Sequence, residues 1–172
     1  MPLQSPRVAG LVVALGSLGL LGGALLFQHV GGLLPCILCH WQRYPLAVLV
    51  GLGALIVSVG DDPSARRTQQ ALLGLAFLLF AFDAGLAVFH VGVEQTWWTG
   101  VAACGGGFSG GAESIEALRA RLLSTPITRC DVPQWTLAGI SLAGFNAIFG
   151  TALALISLWF ATNIGKTKGA TA

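Results

Sequence analysis

Charge is what this sequence has least of: 9 Lys and Arg and 7 Asp and Glu amount to 9% of 172 residues, against 55% hydrophobic ones. A soluble domain carries about 25% charged residues to cover its surface. Water therefore does not solvate most of this exterior; lipid does. With no Lys/Arg-rich run, no basic–aromatic interleaving and a net charge of only +2, the composition argues against nucleic acid as a partner. No Gly-Lys-Ser/Thr follows the glycines at 105–107 and 110–111, so that cluster is not a phosphate loop. Cysteine is scarce as well, at four, and none lies deep inside an apolar stretch.

The apolar residues gather in four stretches. Residues 8–28 hold no charge, and neither do 44–60, a run of about 17 near the lower limit for crossing hydrocarbon. Residues 71–93 hold one acid before the final Glu-side boundary, Asp83, and 132–165 are uncharged after Asp131. Helices satisfy their own backbone groups in lipid, so the pattern predicts a four-helix transmembrane bundle, all-α, in one membrane domain over 1–172. The expected helices are about 8–28, 40–60, 71–92 and 135–161, with the last beginning near Trp135. The first stretch is long for a signal peptide, has weak basic flanks and lacks a small-x-small cleavage site, so it reads as a retained anchor. Gly19 and Gly23 have the spacing that lets helices approach closely in a compact bundle.

Four crossings put both termini on one side. Arg7, Arg66, Arg67, Lys166 and Lys168 fall in the short segments of that side, and Arg119, Arg121 and Arg129 in the long loop opposite. The positive-inside rule places the termini in the cytoplasm and the loop of about 93–133 outside. Within that loop, residues of about 113–123 predict a short amphipathic helix with Ile115, Leu118 and Leu122 on one face. It would lie on the membrane surface or on the top of the bundle.

All four cysteines then face an oxidising compartment. Cys36 and Cys39 form a CxxC where the second helix begins, with Pro35 suited to its first turn. Unpaired N–H groups and the helix dipole favour a thiolate there. Arg43 lies one turn beyond Cys39 on the same face, where a guanidinium would stabilise that thiolate or an anionic oxygen of a ligand. Arg43 also has a purely structural reading, with its stem in lipid and its head at the interface. Zinc would want a second closely spaced pair, and Cys104 and Cys130 stand 26 positions apart, so no metal is expected. Those two read either as a structural staple or as an exchanging pair. Glycines after Cys104 against Asp131-Val132-Pro133 after Cys130 favour exchange. Four cysteines allow three complete pairings. His29, His40 and His90 all fall at outer helix ends.

Pro35-Cys36-Ile37-Leu38-Cys39, Gln42-Arg43-Tyr44-Pro45, His90-Val91-Gly92-Val93-Glu94, Cys104, Cys130, and Trp135 through Ser141-Leu142-Ala143-Gly144-Phe145-Asn146 together resemble the DsbB family, in its order and over nearly the whole chain. The resemblance implies a multi-pass protein of the bacterial inner membrane, its redox cysteines periplasmic, that reoxidises a DsbA-like thioredoxin-fold protein and passes the electrons to membrane quinone, ubiquinone or menaquinone. It implies that the partner attacks Cys104, that Cys130 is released to pair with Cys36, and that Cys39 contacts quinone. It further implies that Arg43 and His90 belong to the quinone site. Asp83, one face with His90 and about 10 Å deeper by helical rise, reads as a proton donor to reduced quinone or as a neutral group bonded to a neighbouring helix, with Asn146 a candidate. A vitamin K epoxide reductase-like bundle would share the chemistry but carry its CxxC late in the bundle. A disulfide-stapled scaffold without turnover is the reading from another class.

Overall fold

The computed structural model describes residues 5–101, 104 and 128–164. The amphipathic helix expected near 113–123 and the glycines after Cys104 lie outside the described residues. Four helices among the described ones are long and apolar enough to cross a membrane: α1 (Pro6–His29), α2 (Ile37–Val59), α3 (Arg66–Glu94) and α4 (Leu142–Asn163). The protein is an all-α membrane bundle.

Local chemistry sets the ends. Ser5 caps α1, its Oγ accepting from the Val8 N–H at 3.2 Å, with Pro6 as the first helical residue. Gly60 closes α2 at φ 71°, a conformation other residues resist. A 3-10 turn, Pro63–Ala65, leads into α3, with Asp62 accepting from the Ser64 N–H. At 29 residues α3 is about 43 Å long, more than the hydrocarbon core requires. Its last turn packs Val93 against Cys36 and Leu38 where α2 begins.

The fourth helix begins at Leu142 and not near Trp135. Thr136–Leu137 pairs with Ile140–Ser141 in a small hairpin whose turn residues, Ala138 and Gly139, both have positive φ. That turn type matches the twist of paired strands. Ser141 then caps α4, its Oγ accepting from the Gly144 N–H at 3.1 Å. An uncharged run conceals this division, because turn and cap alike are built from small residues.

In the bundle α1 packs on α2 and α3 on α4, with α2 against α3 joining the pairs. Leu49, Ile56, Leu73, Ala76 and Phe80 are fully enclosed at the centre. Leu15, Leu26, Leu78 and Leu155 are each at least 60% exposed, as lipid-facing side chains must be. The close helix approach falls at Gly10 and Gly53, where a Cβ on Gly10 would meet the Gly53 carbonyl at 2.9 Å. Gly19 and Gly23 have open space where a Cβ would stand. They line a cavity instead.

Candidate active site

The outer rim of the bundle collects the sulfur chemistry. Cys36 is the cap of α2, with its Sγ accepting from the Cys39 N–H at 3.3 Å. Pro35 consequently precedes the cap instead of occupying the first helical turn, because the sulfur takes the role a hydroxyl or carboxylate usually fills. One helical turn brings the two sulfurs to 2.9 Å as an unbonded dithiol. Cys36 is 4% exposed, whereas Cys39 is only half-buried. The hydrogen bond with Cys39, and then burial, push the Cys36 thiol up from its ordinary value.

Cys104 and Cys130 are joined in a disulfide. That disulfide is not remote from the CxxC: Cys36, Leu38, Val93, Cys104 and Cys130 form one buried cluster. The Gln134 side-chain amide donates to the Leu34 carbonyl, tying the chain after Cys130 to the chain before Cys36. On the far side, Trp98 lies over Gly92, its ring stacked on Phe89 and its N–H donating to the Phe89 carbonyl at 2.9 Å.

A cavity of about 370 Å³ opens beside the dithiol, lined by residues of all four helices. Gly19, Gly23 and Phe27 line it from α1, Phe145 and Phe149 from α4, and Cys39 from α2. Arg43 reaches into its polar end. One guanidinium nitrogen donates to Gln28 Oε1 at 2.5 Å and another to the Ala24 carbonyl at 3.4 Å. Its Nε is buried and has no partner among the described residues, so the charge of the group, held by these two contacts, is what the cavity meets. A flat apolar ring with carbonyl oxygens fits these walls: aromatic and aliphatic faces, one guanidinium, one sulfur.

His90 stands between the dithiol and the bundle core. Its Nε2 lies 3.5 Å from Cys36 Sγ and 3.9 Å from Glu94 Oε1, one turn along α3. Its Nδ1 lies 3.1 Å from Gln42 Nε2, and Gln42 Oε1 in turn accepts from Asn146 Nδ2 at 3.0 Å. The other Glu94 oxygen accepts from the Ser141 hydroxyl. Asp83 is fully buried beside the Asn146 amide. The Asn146 amide has two donors, one given to Gln42 and the other left for Asp83 beside it.

His90 is the histidine brought to the site; His29 and His40 are both exposed. Gln28, Gln42, Glu94 and Ser141 belong to the site without having been singled out as functional from the sequence. For Glu94 a signal existed, four residues after His90 on one helical face. For the amides the signal was their own polarity within apolar spans.

The family model for "Disulfide bond formation protein DsbB" matches residues 6–160. Among curated relatives, "Disulfide bond formation protein B" of Polaromonas sp. (strain JS666) is 33% identical over 164 residues, covering 95% of each chain. Its counterpart in Polaromonas naphthalenivorans is 35% identical over 167 residues, or 96% of this chain and 97% of that one. The protein of the same name from Acinetobacter baumannii is 31% identical over 165 residues and 92% of both. No solved structure matches the chain. With a dithiol, a neighbouring disulfide and a lipid-side cavity at one end of four crossing helices, and with that match running almost end to end, the chain belongs to the DsbB family.

Proposed function

We propose that this protein oxidises a DsbA-like thioredoxin-fold dithiol and passes its two electrons to a membrane quinone. The observation that carries the reading is the placement of Cys36. It shares a buried cluster with the Cys104–Cys130 disulfide and stands 2.9 Å from Cys39, whose other surroundings are the cavity and Arg43. Electrons can pass from one pair to the other without any sulfur crossing the bundle.

Each step conserves bonds. With Cys36–Cys39 oxidised, a partner thiolate attacks Cys104, forms a mixed disulfide and releases Cys130 as a thiolate. Cys130 attacks Cys36 and frees Cys39, which is held at the cavity with Arg43 one turn below. The partner's second thiol closes its own disulfide and frees Cys104, which reclaims Cys130 and releases Cys36. Cys36 and Cys39 rejoin as two electrons and two protons reduce quinone to hydroquinone. In sum, one dithiol and one quinone become one disulfide and one hydroquinone. Arg43 contributes a fixed positive charge where negative charge develops, and His90 lines the same cavity. Ubiquinone and menaquinone rings both suit these walls. The whole chain acts as one membrane unit of the bacterial inner membrane, with termini cytoplasmic and cysteines periplasmic, as the distribution of Lys and Arg supports.

The test mixes purified protein with a reduced thioredoxin-fold partner and quinone, following quinone absorbance. Stoichiometric quinone loss with partner oxidation is expected. A stapled scaffold would leave the spectrum unchanged.

A further inference from the structure

Three helices meet in a polar chain that the sulfur exchange does not itself require: Asn146 on α4, Gln42 on α2 and His90 on α3. Its direction can be read from one end. Gln42 Oε1 is occupied by the Asn146 amide donor at 3.0 Å, so its NH₂ end faces His90 Nδ1 at 3.1 Å. An NH₂ only donates, so Nδ1 must accept. A neutral imidazole carries one proton, which then resides on Nε2. The other end agrees. Nε2 faces Cys36 Sγ at 3.5 Å and Glu94 Oε1 at 3.9 Å, and Glu94 already accepts from Ser141 through its second oxygen. The Cys130 backbone carbonyl also reaches the ring. The carboxylate and the carbonyl accept, and Cys36 accepts whenever it is a thiolate.

We propose that Gln42 and Asn146 are positioning residues that fix the His90 tautomer, so that its Nε2–H points at the Cys36 sulfur and stabilises Cys36 whenever it is a thiolate. The catalytic meaning rests on the exchange described above, because Cys36 must leave one disulfide and attack to form another. A buried sulfur with no donor would do neither readily, since burial penalises the charged form. Besides the Cys39 thiol at 2.9 Å, which is itself consumed in the exchange, the donor on it is the Cys39 N–H at 3.3 Å, acting from the helix terminus. The other titratable or charged groups around this point are Cys39 and Arg43 from α2, Glu94 and Asp83 from α3, and Arg129 from the segment beside Cys130. None of these replaces a neutral N–H donor on Cys36.

The test uses the full chain in micelles with ¹⁵N-labelled histidine, assigning His90 by its disappearance in His90→Gln. Two-bond couplings to the ring protons distinguish Nδ1 from Nε2. Wild type is expected to show a protonated Nε2 and a bare Nδ1. Gln42→Glu keeps the shape but turns the donor into an acceptor, so Nδ1 should gain the proton. Asn146→Leu frees Gln42 to rotate and should give a mixture. In a Cys39→Ser background, Cys36 alkylation below its midpoint should slow about tenfold in Asn146→Leu, an upward shift of about one pH unit, with the limiting rate at high pH unchanged. A wild-type ring protonated on Nδ1 overturns the proposal. So do ring signals that ignore both substitutions, or an alkylation profile that stays put while the ring signals move. Neither quinone nor partner is present in these measurements, so failed electron transfer would sink the functional reading while leaving this one standing.

Discussion

Truncating Arg43 separates the two halves of the reaction. Its guanidinium is held in place by Gln28 Oε1 at 2.5 Å and the Ala24 carbonyl at 3.4 Å, and the group lines the cavity. A charged donor fixed before the reaction begins stabilises developing negative charge without reorganisation. Removing such a donor costs about 100-fold or more in comparable sites, and a hydrogen bond to a charged group contributes about 1.5–3 kcal/mol. The two estimates meet near 100-fold, which is about 2.7 kcal/mol. Arg43→Ala should therefore lower kcat/KM for quinone by about 100-fold. The attack site proposed for the partner is Cys104, which lies in the buried sulfur cluster and does not line the cavity, so kcat/KM for the reduced partner should fall less than about threefold. Steady-state rates with each substrate varied in turn measure both. Arg43→Lys keeps the charge but loses the fork that engages Gln28 and Ala24 together, and should recover only part of the loss. Thermal melting of each variant reports the separate cost of leaving Gln28 without its donor. Equal losses for quinone and partner in a variant that melts normally would refute the assignment of Arg43 to the quinone side.

Cys39→Ser should abolish quinone reduction while still forming a disulfide-linked complex with the partner through Cys104, seen on non-reducing gels; full turnover in this variant would refute the order of steps. Asp83→Asn should reduce quinone within about twofold of wild type across pH and melt no lower, because a fully buried carboxyl is replaced by a neutral group of the same shape whose oxygen still accepts from Asn146. A pH-dependent loss of rate would instead assign Asp83 a proton-carrying role. Gly92→Val should lower the melting temperature, since a Cβ there runs into the Trp98 ring, which Phe89 holds from behind; the cost expected for such overpacking is about 1–3 kcal/mol. Unaltered melting would show that Trp98 moves freely.

The bundle was legible because hydrocarbon tolerates so little. Long uncharged runs have few fates in lipid, and each of the four became a crossing helix. Recognition of the DsbB pattern rested on dispersed landmarks that the family comparison covers nearly end to end. Finer features depended on contacts that no local spacing encodes. Gln42 and Asn146 are 104 positions apart, and each alone reads as a polar blemish in an apolar run. Gly19 and Gly23 have the spacing of a close helix contact, yet α1 meets α2 through Gly10 and leaves those two facing open space. Which glycines touch depends on how the helices cross, and crossing is a property of pairs. The start of α4 escaped for a different reason. A two-residue strand is too short to show a period, so Trp135 was assigned to the helix that its hydrophobicity suggested.

The relation between Cys36 and the Cys104–Cys130 disulfide also bears on the choice between staple and exchange. A protein that needs a permanent cross-link gains nothing from a third sulfur buried against it, because any thiolate that forms there attacks the bond. Stability alone would favour an apolar side chain at position 36, of a kind that Leu38 and Val93 already supply in the same cluster. Instead the sulfur caps a helix, sits 2.9 Å from a second thiol and faces an imidazole at 3.5 Å. Each of those neighbours bears on when Cys36 carries charge. The cluster therefore combines apolar packing, which excludes water and competing thiols, with a small set of polar contacts directed at a single sulfur. Exchange confined to one partner and one acceptor requires that combination.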